Sequence, residues 1–96
     1  LVFDTASLHV TRSGREIELP PIPMRILEVL MRRSPRVVSR ADLEAHVWGD
    51  SPPDSDALRT HLHVLRSLID PAGSRPLLHT LRGRGYRLAA EDARIR

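Results

Sequence analysis

The chain of 96 residues contains no cysteine, no lysine, no asparagine and no glutamine. The absence of cysteine excludes disulfide bonds and thiolate metal sites, and it leaves the redox compartment open. No apolar run approaches the roughly 18 to 20 residues of a membrane span, and the first residues lack the pattern of a signal peptide. We therefore expect a soluble, cytoplasmic protein without a membrane partner. A chain of this length folds as one domain, residues 1–96, around one modest core.

All 15 basic side chains are arginines. Phosphate binding favours arginine because its planar guanidinium makes two hydrogen bonds. The joint absence of three residue types with A-rich codons is, however, typical of a GC-rich genome, so the location of the charge is more informative than its type. Residues 1–56 carry seven arginines and nine acidic residues, a net charge of −2, whereas residues 57–90 carry six arginines and one acid, Asp70, a net charge of +5. The basic surface lies in the C-terminal part of the chain.

Three short segments near the N-terminus predict an antiparallel sheet. Leu8 and Val10 are predicted to share the inward face of the second segment, and Ser13-Gly14 provides a two-residue turn into the third. Val37-Val38 predicts one further short strand. The three N-terminal segments are residues 1–3, 7–12 and 15–19. We expect this sheet to be a platform without an active site.

Two helices are predicted after the sheet. Three prolines within residues 20–23 stop the third strand and can occupy the first turn of a helix over residues 22–33, where a missing N–H costs little. Ser39 resembles an N-cap for a second helix over residues 40–48, which Gly49 ends. The next six residues form a polar, turn-rich loop.

Residues 55–69 predict a strongly amphipathic helix. On a wheel of 100° per residue, Leu58, Leu62, Leu65 and Ile69 fall within about 60° of one another and form a core stripe. Such a helix, about 20 Å long, fits the DNA major groove, although many surface helices have the same pattern. The opposite face carries Asp56, Arg59, Thr60, His63, Arg66 and Ser67.

Residues 79–88, with the sequence HTLRGRGYRL, predict a β-hairpin. Gly83 and Gly85 accept the positive φ that its tight turn requires. Guanidinium groups on such an element suit phosphates and the narrow minor groove, so the hairpin indicates a DNA-binding wing. Taken alone, it is equally consistent with an ordinary solvated hairpin. The arginines that project from it are Arg82, Arg84 and Arg87.

His61 and His63 have the spacing of a His-x-His metal pair, but alternate residues of a helix lie about 200° apart and cannot hold one ion. We expect His61 to pack beside the core stripe and His63 to point outward. The chain shows no nucleophile elbow, no phosphate loop and no paired buried carboxylates. We therefore expect no metal, no cofactor and no enzymatic activity.

Several motifs at matching separations make the chain similar to a known family. They are Val38-Ser39-Arg40, Leu43, Val47-Trp48-Gly49, His61, Leu65-Arg66 and the run TLRGRGYR at residues 80–87. Over essentially its whole length the chain resembles the winged-helix output domain of OmpR/PhoB-type response regulators. The resemblance implies an α+β fold, a winged helix-turn-helix with an N-terminal antiparallel β-sheet, three helices and a C-terminal β-hairpin wing.

The resemblance also implies a transcription regulator in a two-component phosphorelay. Such domains usually form the C-terminal half of the protein, after a receiver domain that a sensor kinase phosphorylates. Because the chain begins at Leu1 and not at methionine, we expect it to be the C-terminal part of a longer regulator.

The roles of individual residues are carried over from the resemblance. The helix over residues 55–69 would be the recognition helix in the major groove, and the hairpin would be the wing in the minor groove of double-stranded DNA. Relatives bind tandem half-sites, which implies a homodimer on DNA. Asp50, Ser51 and Asp54 match a loop that touches RNA polymerase in several relatives. The implied DNA-binding residues are Arg59, Thr60, His63, Val64, Arg66, Thr80, Arg82 and Arg84.

The chain departs from its relatives on the recognition helix. Asp56 stands where a basic or amide residue is frequent, Arg59 where aspartate is frequent, and His63 and Val64 where basic residues are common. Two alternatives therefore stay open. One is the DNA-binding domain of a ToxR-like or antibiotic-pathway regulator without a phosphorelay. The other is a winged-helix protein–protein interaction module, although a decayed DNA face should not keep the arginines of the helix and the wing.

Overall fold

The computed structural model describes residues 1–54, 56–89 and 93–96. Within these ranges the predicted fold class is confirmed: an N-terminal sheet, three helices and a C-terminal hairpin follow one another. The elements are β1 (Val2–Asp4), β2 (His9–Arg12), β3 (Arg15–Ile17), α1 (Pro21–Arg33), α2 (Arg40–Trp48), α3 (Ala57–Ile69), β4 (Leu78–Leu81), β5 (Gly85–Leu88) and β6 (Arg94–Ile95).

The N-terminal sheet has the strand order β3-β2-β1-β6. As predicted, β1, β2 and β3 form an antiparallel meander, and the turn Ser13-Gly14 has φ values of 53° and 78°. Positive φ at both central residues is the conformation of a tight hairpin turn. The sheet also gains β6, which pairs with β1 in parallel and which the sequence pattern did not reveal.

The prediction that Leu8 and Val10 share one buried face is wrong. Val10 is fully buried, whereas Leu8 is 56% exposed, has a φ of 60° and precedes the first residue of β2, His9. The left-handed backbone at Leu8 ends a turn and interrupts the alternation that the sequence pattern assumed. The third strand is also shorter than predicted and ends at Ile17.

Proline, serine and glycine residues set the ends of the first two helices. Pro21 is the first residue of α1, and Pro20 at the N-cap accepts the N–H of Met24 at 3.0 Å through its carbonyl. Ser39 caps α2, because its Oγ accepts the N–H of Asp42 at 3.1 Å. Gly49, with a φ of 67°, ends α2.

The core lies between α1 and the elements that pack against it, namely α2, α3, β5 and β6. The predicted stripe on α3 is confirmed, since Leu58, Leu62, Leu65 and Ile69 are each at most 3% exposed. Burying each such side chain stabilises the fold by about 1.5–3 kcal/mol. This burial fixes which face of α3 turns away from the core. In the described part of the chain, no helix has the length and apolar character needed to cross a membrane.

Candidate nucleic-acid interface

The face of α3 opposite the core is open to solvent. Arg59, Thr60 and His63 are exposed, and Val64 and Arg66 are partly buried. The Thr60 hydroxyl donates to the Asp56 carbonyl at 3.0 Å, which leaves its methyl group and oxygen lone pairs for an external partner. These positions agree with the predicted outward face of a recognition helix.

The two histidines of α3 lie as predicted. The ring of His61 packs against Trp48 of α2, with 6.0 Å between the ring centroids, whereas His63 is exposed. This contact joins the two helices of the helix-turn-helix. Among the described residues, no group of three or more His, Cys, Asp or Glu side chains could hold a metal ion.

The loop before α3 is acidic and exposed. Asp50, Ser51 and Asp54 all lie on the surface, and the Asp54 carboxylate accepts the N–H of Asp56 at 2.9 Å. The Asp56 carboxylate makes no capping hydrogen bond to the helix. The predicted helix start at Ser55 lies outside the described residues, and α3 begins at Ala57.

The predicted wing is the antiparallel hairpin of β4 and β5, in which Thr80 pairs with Tyr86. Gly83, with a φ of 75°, lies at its tip between Arg82 and Arg84, and both of these arginines are exposed. Arg87 is different: it is partly buried and lies across the hairpin from His79. Two of the three arginines predicted to project from the hairpin are therefore fully presented at its tip.

The second strand of the wing, β5, is fixed near the hairpin turn to the loop between α1 and α2. Val38 and Tyr86 exchange two backbone hydrogen bonds, of 2.7 and 2.9 Å, so the predicted strand at Val37-Val38 is reduced to a single bridge at Val38. A Cβ on Gly85 would lie 2.2 Å from the Val38 oxygen. Gly85 therefore permits this close approach as well as its φ of 142°.

The wing and α3 also contact each other directly. Arg66 on α3 donates from Nη2 to the Oγ1 of Thr80 on β4 at 2.6 Å. The outward face of α3 and the wing thus form one surface. Within the described residues, the arginines of this surface form no ion pair with a carboxylate, so their charge is uncompensated. They are Arg59, Arg66, Arg82 and Arg84.

A polar junction that the sequence pattern did not reveal joins Arg12 on β2 to Asp70, which directly follows α3. Arg12 Nη1 lies 2.8 Å from Asp70 Oδ1, and the two side chains are only 16% and 6% exposed. The Asp70 carboxylate also accepts the N–H groups of Leu77 and Leu78 at 3.0 and 2.9 Å. One signal was available, because Asp70 is the single acid among residues 57–90.

These features agree with the comparisons with known proteins. The family model described as "Transcriptional regulatory protein, C terminal" matches residues 14–88. The chain belongs to this family. It is therefore an OmpR/PhoB-type winged-helix DNA-binding domain, as the motifs of the hairpin and of α2 predicted. The match includes α3 and the whole wing.

Among curated proteins, the chain is similar to the response regulator MprA of Mycobacterium sp. (strain KMS), with 36% identity over 87 residues. The alignment covers 90% of this chain and 38% of MprA. The probable transcriptional regulatory protein TcrX of Mycobacterium tuberculosis is 37% identical over 87 residues, which are 90% of this chain and 37% of TcrX. The chain thus spans less than half the length of these relatives.

Solved structures give the same result. The DNA-binding domain of CpxR from E. coli is 29% identical with a TM-score of 0.75, and the match covers 92% of this chain and 88% of that one. DrrB, an OmpR/PhoB homologue of Thermotoga maritima, is 27% identical with a TM-score of 0.80, over 92% of this chain and 41% of DrrB. A redox sensor of the streptococci, described as evolved from two-component response regulators, is 28% identical with a TM-score of 0.81. The match covers 92% of this chain and 38% of that one.

Proposed function

We propose that this domain binds double-stranded DNA sequence-specifically as the output domain of a transcriptional response regulator. The observation that carries the proposal is the surface shared by α3 and the wing. The Arg66–Thr80 contact joins these two elements, and the arginines on both are uncompensated by carboxylates within the described part of the chain. A continuous cationic surface of this kind attracts the phosphates of a duplex.

The two elements take different roles in the proposed complex. The 13 residues of α3 make a helix about 20 Å long that fits the major groove. Arg59 and His63 face the base edges there, and Thr60 and Val64 offer methyl groups to thymine. Arg82 enters the minor groove, while Arg84 and the Arg66–Thr80 pair contact the backbone between the grooves.

The larger assembly is proposed from the relatives. MprA is a response regulator, and this chain spans 38% of its length. We propose a receiver domain elsewhere in the full protein, a sensor kinase that phosphorylates it, a homodimer on tandem DNA half-sites and a cytoplasmic location. Asp50, Ser51 and Asp54 lie exposed in the loop before α3, and we propose this loop as the contact with RNA polymerase.

The streptococcal redox sensor supports a second candidate. Its likeness to this chain is as close as that of DrrB, although its description assigns it a redox-sensing role. A DNA-binding output domain that is controlled by a signal other than phosphorylation is therefore an alternative to the phosphorelay.

The exposed acidic groups of Asp54 and Asp56 beside α3 favour a different alternative, a protein-interaction module.

A salt titration tests DNA binding directly. Duplexes selected from a random pool by the wild-type domain serve as the probe, and fluorescence anisotropy measures affinity between low and moderate salt. Arginines displace condensed counterions in the grooves as well as on the backbone, so Arg59, Arg66, Arg82, Arg84 and Arg87 together predict a log–log slope of about −3 to −5. Arg66→Ala should reduce the slope by about one unit. Arg94→Ala, an equal change of charge on the separate N-terminal sheet, should leave it unchanged.

Failure to select any duplex, or an affinity that does not change with salt, would favour the protein-interaction alternative.

The signal that controls DNA binding is tested on the full-length protein. Phosphorylation by a small phosphodonor should increase its affinity for the selected duplex. If affinity instead responds only to oxidation and reduction, the phosphorelay proposal is wrong and DNA binding still stands.

A further inference from the structure

The junction around Asp70 connects three separate parts of the domain. Arg12 reaches it from β2 of the N-terminal sheet, Asp70 directly follows the last residue of α3, and Leu77 and Leu78 lead into the first strand of the wing. Arg12 also donates to the carbonyl oxygens of Ile69 and Arg75. One arginine and one aspartate therefore tie the end of α3 to the start of the wing and to the sheet behind them.

The partial burial of this pair, whose side chains are 16% and 6% exposed, points to a role in orientation. Removing two charges from water is costly, and a buried ion pair is weak evidence for stability. Such a pair persists where every polar atom is satisfied, and it then fixes one geometry in preference to others. The Asp70 carboxylate receives three donors, from Arg12, Leu77 and Leu78, and both Arg12 terminal nitrogens are engaged.

A second contact lies further along the same pair of elements. Arg66 and Thr80 touch one turn before the end of α3 and two residues after the start of β4 at Leu78. That contact is exposed and made by a long, flexible side chain, whereas the Arg12–Asp70 junction is part-buried and includes backbone N–H groups at the start of the wing. The junction is thus the more rigid of the two links between α3 and the wing.

We propose that Arg12 and Asp70 are positioning residues for DNA recognition: they hold α3 and the wing at the angle at which both engage one duplex. The proposal rests on the function proposed above. Neither side chain needs to touch DNA for this role. Its consequence is energetic coupling, because a wing that is no longer held in place contributes less to binding even when its own arginines are intact.

The test uses Arg12→Met, which keeps the aliphatic stem and removes the hydrogen bonds and the charge. Arg15→Met is the matched control, since Arg15 is the cross-strand neighbour of Arg12, is exposed and makes the same change of charge. Binding to the selected duplex is measured well below each variant's melting temperature, so that folded protein is compared. We expect Arg12→Met to weaken binding by about 10-fold and Arg15→Met by less than about 2-fold.

A double-mutant cycle with Arg82→Ala separates positioning from general destabilisation. In the wild-type background Arg82→Ala removes the full contribution of the wing tip. In the Arg12→Met background the same substitution should weaken binding at least about 3-fold less, because the wing is already poorly placed. Arg12→Lys, which can keep the ion pair with Asp70, should restore part of the affinity. If Arg12→Met does not fold, the same cycle is measured with Asp70→Asn, which removes the charge of the other partner and keeps one oxygen acceptor.

Two results would overturn the proposal. Equal losses of affinity in folded Arg12→Met and Arg15→Met would show that only charge matters. An Arg82→Ala effect of the same size in both backgrounds would show that the junction does not couple the wing to α3. If no variant and no wild-type protein binds any duplex, it is the proposed DNA function that has failed.

Discussion

Gly85→Ala should separate the wing from the loop between α1 and α2. A Cβ at this position would lie 2.2 Å from the Val38 oxygen and 2.9 Å from the Ser39 Cα. Both contacts are with backbone atoms, which a side-chain rotation cannot relieve, so the bridge between Val38 and Tyr86 must separate. Gly83→Ala is the matched control, because Gly83 also has a positive φ, of 75°, but no atom lies within 4 Å of its Cβ position.

The expected magnitude follows from these contacts. Both substitutions place alanine at positive φ, which costs about 1–2 kcal/mol at the φ of 75° of Gly83 and at least as much at the φ of 142° of Gly85. Gly85→Ala also loses the two hydrogen bonds between Val38 and Tyr86, of 2.7 and 2.9 Å, each contributing about 1 kcal/mol. We expect Gly85→Ala to lower the free energy of unfolding by about 3–4 kcal/mol, and Gly83→Ala by about 1–2 kcal/mol.

Urea denaturation of the wild-type domain and both variants measures this difference. A gap of about 2 kcal/mol corresponds to a melting temperature lower by roughly 10 °C in a domain of this size. Backbone amide exchange gives a second reading, since the N–H groups of Val38 and Tyr86 should lose protection only in Gly85→Ala. Equal destabilisation by the two substitutions would refute the close-approach argument.

Three further predictions concern the cap, the core and the wing. Ser39→Ala should destabilise the domain by about 1 kcal/mol in urea denaturation, because the N–H of Asp42 loses its acceptor. Leu65→Ala should cost about 2–5 kcal/mol in the same assay, since Leu65 is fully buried. Its control is Leu68→Ala, which should cost less than about 1 kcal/mol, because Leu68 is 37% exposed. Arg82→Ala should weaken the preference for A·T-rich flanks in anisotropy measurements without changing the melting temperature, and an unchanged preference would exclude insertion into the minor groove.

Helical periodicity predicted the face of α3 correctly because four large apolar residues, from Leu58 to Ile69, repeat over about three turns. Strand periodicity predicted the buried faces of the N-terminal sheet less well, since each strand of that sheet has only two to four residues. A single left-handed residue, Leu8, was enough to end the alternation. The two residues of β6 carry no detectable pattern, and their pairing with β1 depends on a contact over about ninety positions.

The sequence pattern also could not predict which charged residues contact each other in the folded domain. Arg12 lies on a strand whose polar positions looked like solvent-facing ones, and Asp70 looked like part of a helix-ending turn. Their contact depends on how the N-terminal sheet packs behind α3, which no local propensity encodes. The close approach at Gly85 has the same origin: the sequence indicated a turn glycine, while the structure adds a neighbouring backbone.

The distribution of charge along the proposed DNA surface explains why the angle between α3 and the wing matters here. The start of α3 is flanked by Asp54 and Asp56, and the middle of its outward face carries the neutral or weakly basic Val64 and His63. Arg59, in the first turn of α3, is the cation nearest these two acids, so the net attraction for phosphates is concentrated on Arg66 and on the wing. A recognition helix with few cations of its own gains affinity only if the wing engages the same duplex at the same time. The binding energies of α3 and of the wing combine fully only when the geometry allows both contacts at once. A rigid link between the two elements therefore contributes more to DNA affinity in this domain than in a domain whose recognition helix is strongly basic.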